Sequence, residues 1–255
     1  VHLDVSKTGL ELLEEWTAQE DEWKVYRELH QLKLDESIID RKIKGSFLWM
    51  TLGLVLTFSM ILLNMNVHFF AEIFFRMYRI TLILQLILAV VLALVSYSAS
   101  ATVLKVLFLT YAFVTGQTLT LFAFIYDTTS IMAVLFGTII LFAILAIYGY
   151  TTTNKLLSYR TFLTVGLISL VVLSLINIFL RSETLYLFLS FLGVIVFVIY
   201  TAYDTYVIKN NIIELVNSGR VDLLDRIEIV GAFALYLDFI NLFINLLRIF
   251  GKRRR

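Results

Sequence analysis

The stretch ALYLDFINLF, residues 234–243, holds one ionisable side chain, Asp238, within a long apolar run. A charged side chain at the centre of a membrane-spanning helix costs about 2.5–3.5 kcal/mol on insertion scales, so it usually faces protein or water and has a partner. Small and polar residues recur at intervals of three or four around it: Gly231, Ala234, Asp238, Asn241 and Asn245. These positions share one helix face. The pattern predicts that this face packs against other helices, with Asn241 and Asn245 either lining a pathway or only bonding between helices.

The composition indicates a membrane protein. The 255 residues are 60% apolar, whereas a soluble domain is nearer half apolar. There is no cysteine, which excludes disulfides and thiolate metal sites. A net charge of +1 argues against nucleic acid as a partner. Eleven of the 20 acidic residues lie in 1–45, which predicts a charged amphipathic helical extension there, a transmembrane domain at 46–251 and a basic tail at 252–255.

Seven apolar runs follow the charged extension. Each is close to the roughly 20 residues that a helix needs to cross about 30 Å of hydrocarbon. We place them at 47–66, 80–97, 106–126, 131–150, 161–180, 185–208 and 229–250. The predicted fold is therefore an all-α bundle of seven transmembrane helices, embedded in the lipid bilayer, with its longest connection at 209–227.

The distribution of lysine and arginine predicts the orientation. With the N-terminus in the cytosol, eleven basic residues flank the spans on the cytosolic side and three on the other side, before the C-terminal residues are counted. Arg248 and the tail KRRR then fall on the outer side, against this rule. We expect a cytosolic N-terminus, since the earlier helices usually set the topology.

A second buried acid, Asp204, lies in FVIYTAYDTY, residues 197–206. Spans six and seven are antiparallel, so Asp204 and Asp238 can meet if span six continues into NNII at 210–213. Two carboxylates in contact cannot both be charged cheaply, so the pair is expected to share a proton. Singly protonated, the pair would clasp the two helices together. Doubly ionised, it would part them or bind a cation such as calcium, which predicts a proton-sensitive gate on a cation path.

Other polar groups within the spans give weaker signals. Gln117, in TGQTLT at 115–120, and Gln85 could line a pathway or bond between helices. Tyr203, beside Asp204, is a further candidate for such contacts. His2, His30 and His68 all fall outside the predicted spans, so a histidine metal site in the membrane is not expected.

The strings AYD at 202–204, YAFVTGQTL at 111–119 and LYLDFINLFINLLRIFG at 235–251 resemble the Bax-inhibitor family of transmembrane proteins. The resemblance covers about residues 47–251. It implies a seven-helix bundle with the last helix central, in the plasma (inner) membrane of a bacterium. It also implies a pH-sensitive calcium leak with Asp204 and Asp238 as the sensor, calcium being the permeating ion and no cofactor being required.

This chain departs from its relatives in two places. Some bacterial members carry basic residues where spans two and three join, whereas SYSASATVLK at 96–105 offers only Lys105. Relatives also often have a glutamate in the second span, where this chain has Gln85. Both differences affect how the negative charge of the acidic pair is balanced and the pH at which the pair would respond.

Two other functions compete with the leak. Intramembrane aspartyl proteases also use two aspartates on adjacent spans, the first in a YD pair like Tyr203–Asp204. Their second aspartate belongs to a GxGD motif, where this chain has LYLD, and they need a proline-containing loop, whereas this chain has no proline. A regulatory or scaffold protein of the cell-death or stress type, with an incidental ion leak, stays open.

Overall fold

The computed structural model describes residues 9–96 and 98–254. Within them, seven α-helices are joined by short connections and by two 3-10 turns, Leu156–Tyr159 and Val221–Leu223. The helices are α1 (Gly9–Asn66), α2 (His68–Val95), α3 (Ala101–Ile125), α4 (Thr128–Thr151), α5 (Arg160–Leu180), α6 (Glu183–Asn217) and α7 (Leu224–Phe250). All seven contain a stretch that is long and apolar enough to cross a membrane. The predicted all-α, seven-helix fold is confirmed.

The chain divides into two compact units, the first ending at Arg41 and the second beginning at Lys42. The described part of the first unit is the beginning of α1, as the predicted N-terminal helix requires. There, Gln31 Nε2 donates to Asp35 Oδ1 at 3.1 Å, one helical turn along. The string TGLE at 8–11 predicts a capping box of Thr8 and Glu11 at the start of this helix, and Thr8 lies outside the described residues. The second unit contains the bundle.

Helices α3 and α7 form the centre of the bundle. In each, 56% of the most apolar stretch is buried inside the protein, against 6% in α2 and 11% in α5. The outer helices therefore present apolar side chains to lipid, while α7 is surrounded by protein. The expectation that the last helix is central is confirmed, and α3 shares that position.

A buried hydrogen-bond cluster joins α1, α3 and α7. Thr57 of α1 donates its hydroxyl to the carbonyl of Ala112 in α3 at 2.9 Å. Tyr236 of α7, fully buried, has its hydroxyl 2.7 Å from the same threonine oxygen and donates to it. Each hydroxyl thereby finds a partner without water, which a hydrocarbon interior demands.

The structure corrects the start of the second span, predicted at 80, because α2 begins at His68. Glu72, Arg76 and Arg79 are exposed and recur at helical spacing, so the charged segment extends the helix by about three turns before the apolar part. Long basic side chains can lie along such a helix and extend their charges toward the interface.

The predicted long connection at 209–227 is wrong, because α6 continues to Asn217. The physical reason is a buried stripe of Ile208, Ile212 and Val216, which recur every four residues and pack on the bundle. The helix stops where Gly219 adopts a left-handed φ of 70° and Arg220 N donates to Leu215 O at 2.9 Å.

The C-terminal tail lies at the end of the bundle where α3 joins α4. Arg253 pairs with Tyr126 in an isolated antiparallel bridge, and Asp127 N donates to Lys252 O at 2.8 Å. This end is opposite the α6–α7 connection, as seven crossings require. The basic tail is therefore fixed by backbone hydrogen bonds.

Thr57→Val should lower the free energy of unfolding by about 1 kcal/mol, because it removes both hydrogen bonds of the α1–α3–α7 cluster. The measurement is unfolding of the purified protein in mixed detergent micelles, followed by circular dichroism. Thr51→Val is the matched control, since Thr51 is exposed and bonds only Phe47 O in its own helix. Equal stability of the two variants would show that the cluster contributes nothing.

Candidate functional site

The two acidic residues of α6 and α7 lie at the same height in the bundle. Thirteen residues separate Asp204 from the end of α6 at Asn217, and fourteen separate the start of α7 at Leu224 from Asp238. At 1.5 Å per residue, both therefore lie about 20 Å from the connection between the two helices. The continuation of α6 through NNII is what produces this match.

The carboxyl groups of Asp204 and Asp238 lie within hydrogen-bonding reach of each other. Asp238 is 3% exposed, and its Oδ2 atom is buried with no hydrogen-bond partner among the described residues. Asp204 is less enclosed. Asp238 is thus the more deeply buried of the two acids, and both border the adjoining space.

That space is a cavity of about 370 Å³, between α7 and the helices α2, α3, α5 and α6. Its polar lining residues are Ser96, Tyr200, Asp204, Asp238 and Asn241. The other lining residues are apolar. Along α7 the cavity extends from Ile229, near the α6–α7 connection, to Asn241 at mid-depth. It therefore leads from one end of the bundle to the acidic pair.

Past Asn241 the side chains of α7 that face the bundle are mostly apolar. Leu242, Phe243 and Leu247 of α7 are buried, and Phe243 packs edge-to-face on Phe58 of α1 with ring centroids 6.0 Å apart. The cavity thus ends at the acidic pair. Further along α7, Phe243 and Leu247 line a separate and mostly apolar cavity of about 1040 Å³ between α1, α3, α4 and α7.

No lysine or arginine is found among the described residues that line the cavity. Lys105, the only basic residue of the α2–α3 junction, lies instead over the ring of Trp49, 5.0 Å from its centroid. Tyr200 lines the cavity and is close enough to both carboxyl groups to interact with them electrostatically. The side chains around the pair are therefore neutral. No basic side chain among the described lining residues offsets the negative charge of the two acids.

The two asparagines that follow Asp238 have different surroundings. Asn241 lines the cavity and donates its amide to Leu237 O at 2.8 Å. Asn245 is buried and packs on Gly193 of α6, where a Cβ atom would lie 2.6 Å from Asn245 Nδ2. Asn241 is thus placed at the candidate pathway, and Asn245 in the α6–α7 contact.

The other residues suggested by the sequence lie away from the acidic pair. Asn64 Nδ2 of α1 donates to Gln117 Oε1 at 3.0 Å, and Gln85 Nε2 of α2 donates to Thr115 Oγ1 at 3.2 Å. Both glutamines therefore join helices. Tyr203 packs with Leu156 and other residues beside the first 3-10 turn, outside the cavity lining.

Tyr200 is the one cavity residue near the pair that the sequence reasoning missed. It precedes Asp204 by four residues, so the two share a helix face, and this spacing could have identified it. Its hydroxyl is also within hydrogen-bonding reach of Thr164 on α5.

Fold and site together define a multi-pass helical membrane protein with an acidic pair at the inner end of a cavity. The sequence profile of the family described as "Inhibitor of apoptosis-promoting Bax1" matches residues 40–255. The chain belongs to this Bax inhibitor family, as the strings around Asp204 and Asp238 predict.

Its relatives include bacterial membrane proteins. The chain is 41% identical over 209 residues to the inner membrane protein YbhL of Escherichia coli, covering 81% of this chain and 89% of the relative. It is 33% identical over 211 residues to an uncharacterized protein of Deinococcus radiodurans, covering 82% and 89%. A protein of Rickettsia prowazekii, RP147, is 40% identical over 150 residues, covering 59% and 62%.

Gly193→Leu should destabilise the bundle, because its side chain would occupy the position of the Asn245 amide and separate α6 from α7. We expect a loss of about 2 kcal/mol or more, measured by thermal unfolding in detergent. Gly137→Leu is the matched control, since a Cβ atom at Gly137 of α4 meets nothing within 4 Å. Equal melting temperatures for the two variants would contradict the tight α6–α7 contact.

Proposed function

We propose that this protein is a pH-sensitive leak pathway for calcium or similar cations, gated by protonation of Asp204 and Asp238. The observation that carries the proposal is the contact between two carboxyl groups at the inner end of the cavity. A buried acidic pair without a basic partner changes charge at high energetic cost, so its protonation state is coupled to how closely its helices approach.

The gate would work through the proton that the pair shares. With one proton, the carboxyl groups hydrogen-bond across the α6–α7 contact and hold the helices together. Without it, two like charges repel at short range, and they either separate the helices or are neutralised by a cation. Tyr200 and Asn241 are the polar neighbours that face this site within the cavity.

Calcium fits the donor set as a passing ion. It takes six to eight oxygen ligands, and two carboxylates supply at most four of them. Asn241 and water within the cavity would complete the shell. Among the described residues no group of three or more His, Cys, Asp or Glu side chains could hold a metal ion. The pair would therefore bind calcium transiently, as a permeation pathway requires.

The apolar core past Asn241 would have to open for an ion to cross. Leu242, Phe243 and Leu247 are buried in this region, and all three lie on α7. A movement of α7 relative to α6 would displace them together with Asp238. The apolar barrier would thus open when the pair loses its shared proton.

We place the protein in a bacterial inner membrane with its N-terminus in the cytosol. The identity to YbhL and the basic residues flanking the spans support this location and orientation. The cavity would then lead from the cytosolic end of the bundle to the acidic pair. The C-terminal tail would lie on the periplasmic side.

We also propose that the protein is not an enzyme. The name of the family and that of the YbhL relative describe no catalysis. A regulatory role of the cell-death or stress type, with the leak as a by-product, would leave ion flux unrelated to the acidic pair. The experiment below distinguishes these functions.

Asp204→Asn and Asp238→Asn should each abolish most of the pH dependence of calcium release, because asparagine keeps the shape of the pair and cannot ionise. The measurement is calcium efflux from liposomes that contain the purified protein, over a range of external pH. Asp222→Asn is the matched control, since Asp222 is exposed in the turn between α6 and α7.

Wild-type pH profiles in both pair variants would overturn the sensor assignment. A leak indistinguishable from that of empty liposomes at every pH would favour the regulatory function. Cleavage of a membrane peptide that both variants lose would indicate a protease instead.

A further inference from the structure

A second cavity, of about 470 Å³, lies at the end of the bundle opposite the α6–α7 connection. It is formed where α5 ends, α6 begins and α7 ends. Its charged and polar lining residues include Arg181, Ser182, Glu183, Tyr186, Arg248 and Arg253. It is separate from the acidic pair and has no role in the proposed gate.

Among the described residues that line this cavity, three carry a guanidinium group and one, Glu183, carries a carboxylate. The N-terminus of α6, which follows the N-cap residue Ser182, adds the positive end of its helix dipole. The cavity is thus electropositive on three sides. Arginine forks and helix N-termini are the groups that bind phosphate in proteins.

Arg248 is the central cation of this site. Its guanidinium lies 4.9 Å from the ring centroid of Tyr186 and 5.9 Å from that of Phe122, so aromatic side chains position it. Its Nε atom is buried and has no hydrogen-bond partner among the described residues. A buried donor without a partner is costly, and an oxyanion in the cavity would help to neutralise the charge around it.

The cavity borders on the lipid-facing surface of the bundle. Ile178 lines it and is 65% exposed, and the next residue of α5, Phe179, is 86% exposed. A ligand can therefore place an anionic group among the arginines and an apolar chain along the end of α5. A phospholipid has this combination, whereas a free phosphate ion has no apolar part.

We propose that this cavity binds the phosphate group of an anionic glycerophospholipid. Arg248 is the half-buried anchor, and Arg181 and Arg253 close the site from its exposed edge. The head group binds between α5, α6 and α7, as anionic lipids do in other basic pockets between spanning helices. Its bound lipid joins the end of α5, the start of α6 and the end of α7.

The test is native mass spectrometry of the full-length protein in detergent, titrated with phosphatidylglycerol or phosphatidylcholine. We expect one phosphatidylglycerol molecule to be retained in preference to phosphatidylcholine. Arg248→Gln and the double variant Arg181→Gln/Arg253→Gln should each weaken retention about tenfold, because each loses charge-assisted hydrogen bonds to phosphate. Arg220→Gln, an exposed arginine at the opposite end, is the control and should bind as the wild type does.

The double variant keeps the test decisive if Arg248→Gln fails to fold, since Arg181 and Arg253 are both exposed. Millimolar inorganic phosphate is added in a further arm and should not displace the lipid. Equal retention of phosphatidylglycerol by wild type and double variant would overturn the proposal. Displacement by inorganic phosphate would also overturn it, because the site would then bind a soluble phosphoanion.

Discussion

The packing of α6 against α7 places two carboxyl groups together at about 20 Å from the α6–α7 connection, and the rest of the structure is arranged around this contact. A lone charge at this depth would be costly in hydrocarbon. Two acids that share a proton avoid that cost, provided that their helices stay in register. Toward the C-terminal tail, Gly193 has no side chain, so α6 approaches α7 closely at Asn245. Toward the α6–α7 connection, the buried stripe of Ile208, Ile212 and Val216 extends the contact.

The two halves of the bundle differ on either side of the acidic pair. Toward the α6–α7 connection the interior holds a cavity that the acidic pair lines, whereas toward the C-terminal tail the buried side chains of α7, such as Leu242 and Phe243, are apolar and the adjoining cavity is mostly apolar. This asymmetry is what a closed gate requires, since an ion could reach the pair from one side only. The arginine-lined cavity at the far end is independent of this gate, and lipid bound there would stabilise the helix ends beyond the apolar barrier.

Much of the fold could be predicted from the sequence, because hydropathy determines the spans and the spacing around Asp238 determines which face of α7 is buried. The extent of α6 could not, since KNNIIELVN is polar enough to read as a loop and only tertiary packing of Ile212 shows otherwise. Gln85 and Gln117 show a similar limit. Sequence identifies a polar group within a span, but its partner on another helix decides whether it lines a pathway or joins two helices.

The most direct measurement is cross-linking between positions 204 and 238 in native membranes. The chain contains no cysteine, so the double variant Asp204→Cys/Asp238→Cys introduces the only two thiols. We predict that a short methanethiosulfonate cross-linker joins them rapidly, while Asp204→Cys/Asn245→Cys stays unlinked because position 245 lies about 10 Å further along α7. No cross-link between 204 and 238, or equal cross-linking of both pairs, would contradict the contact between the two acids.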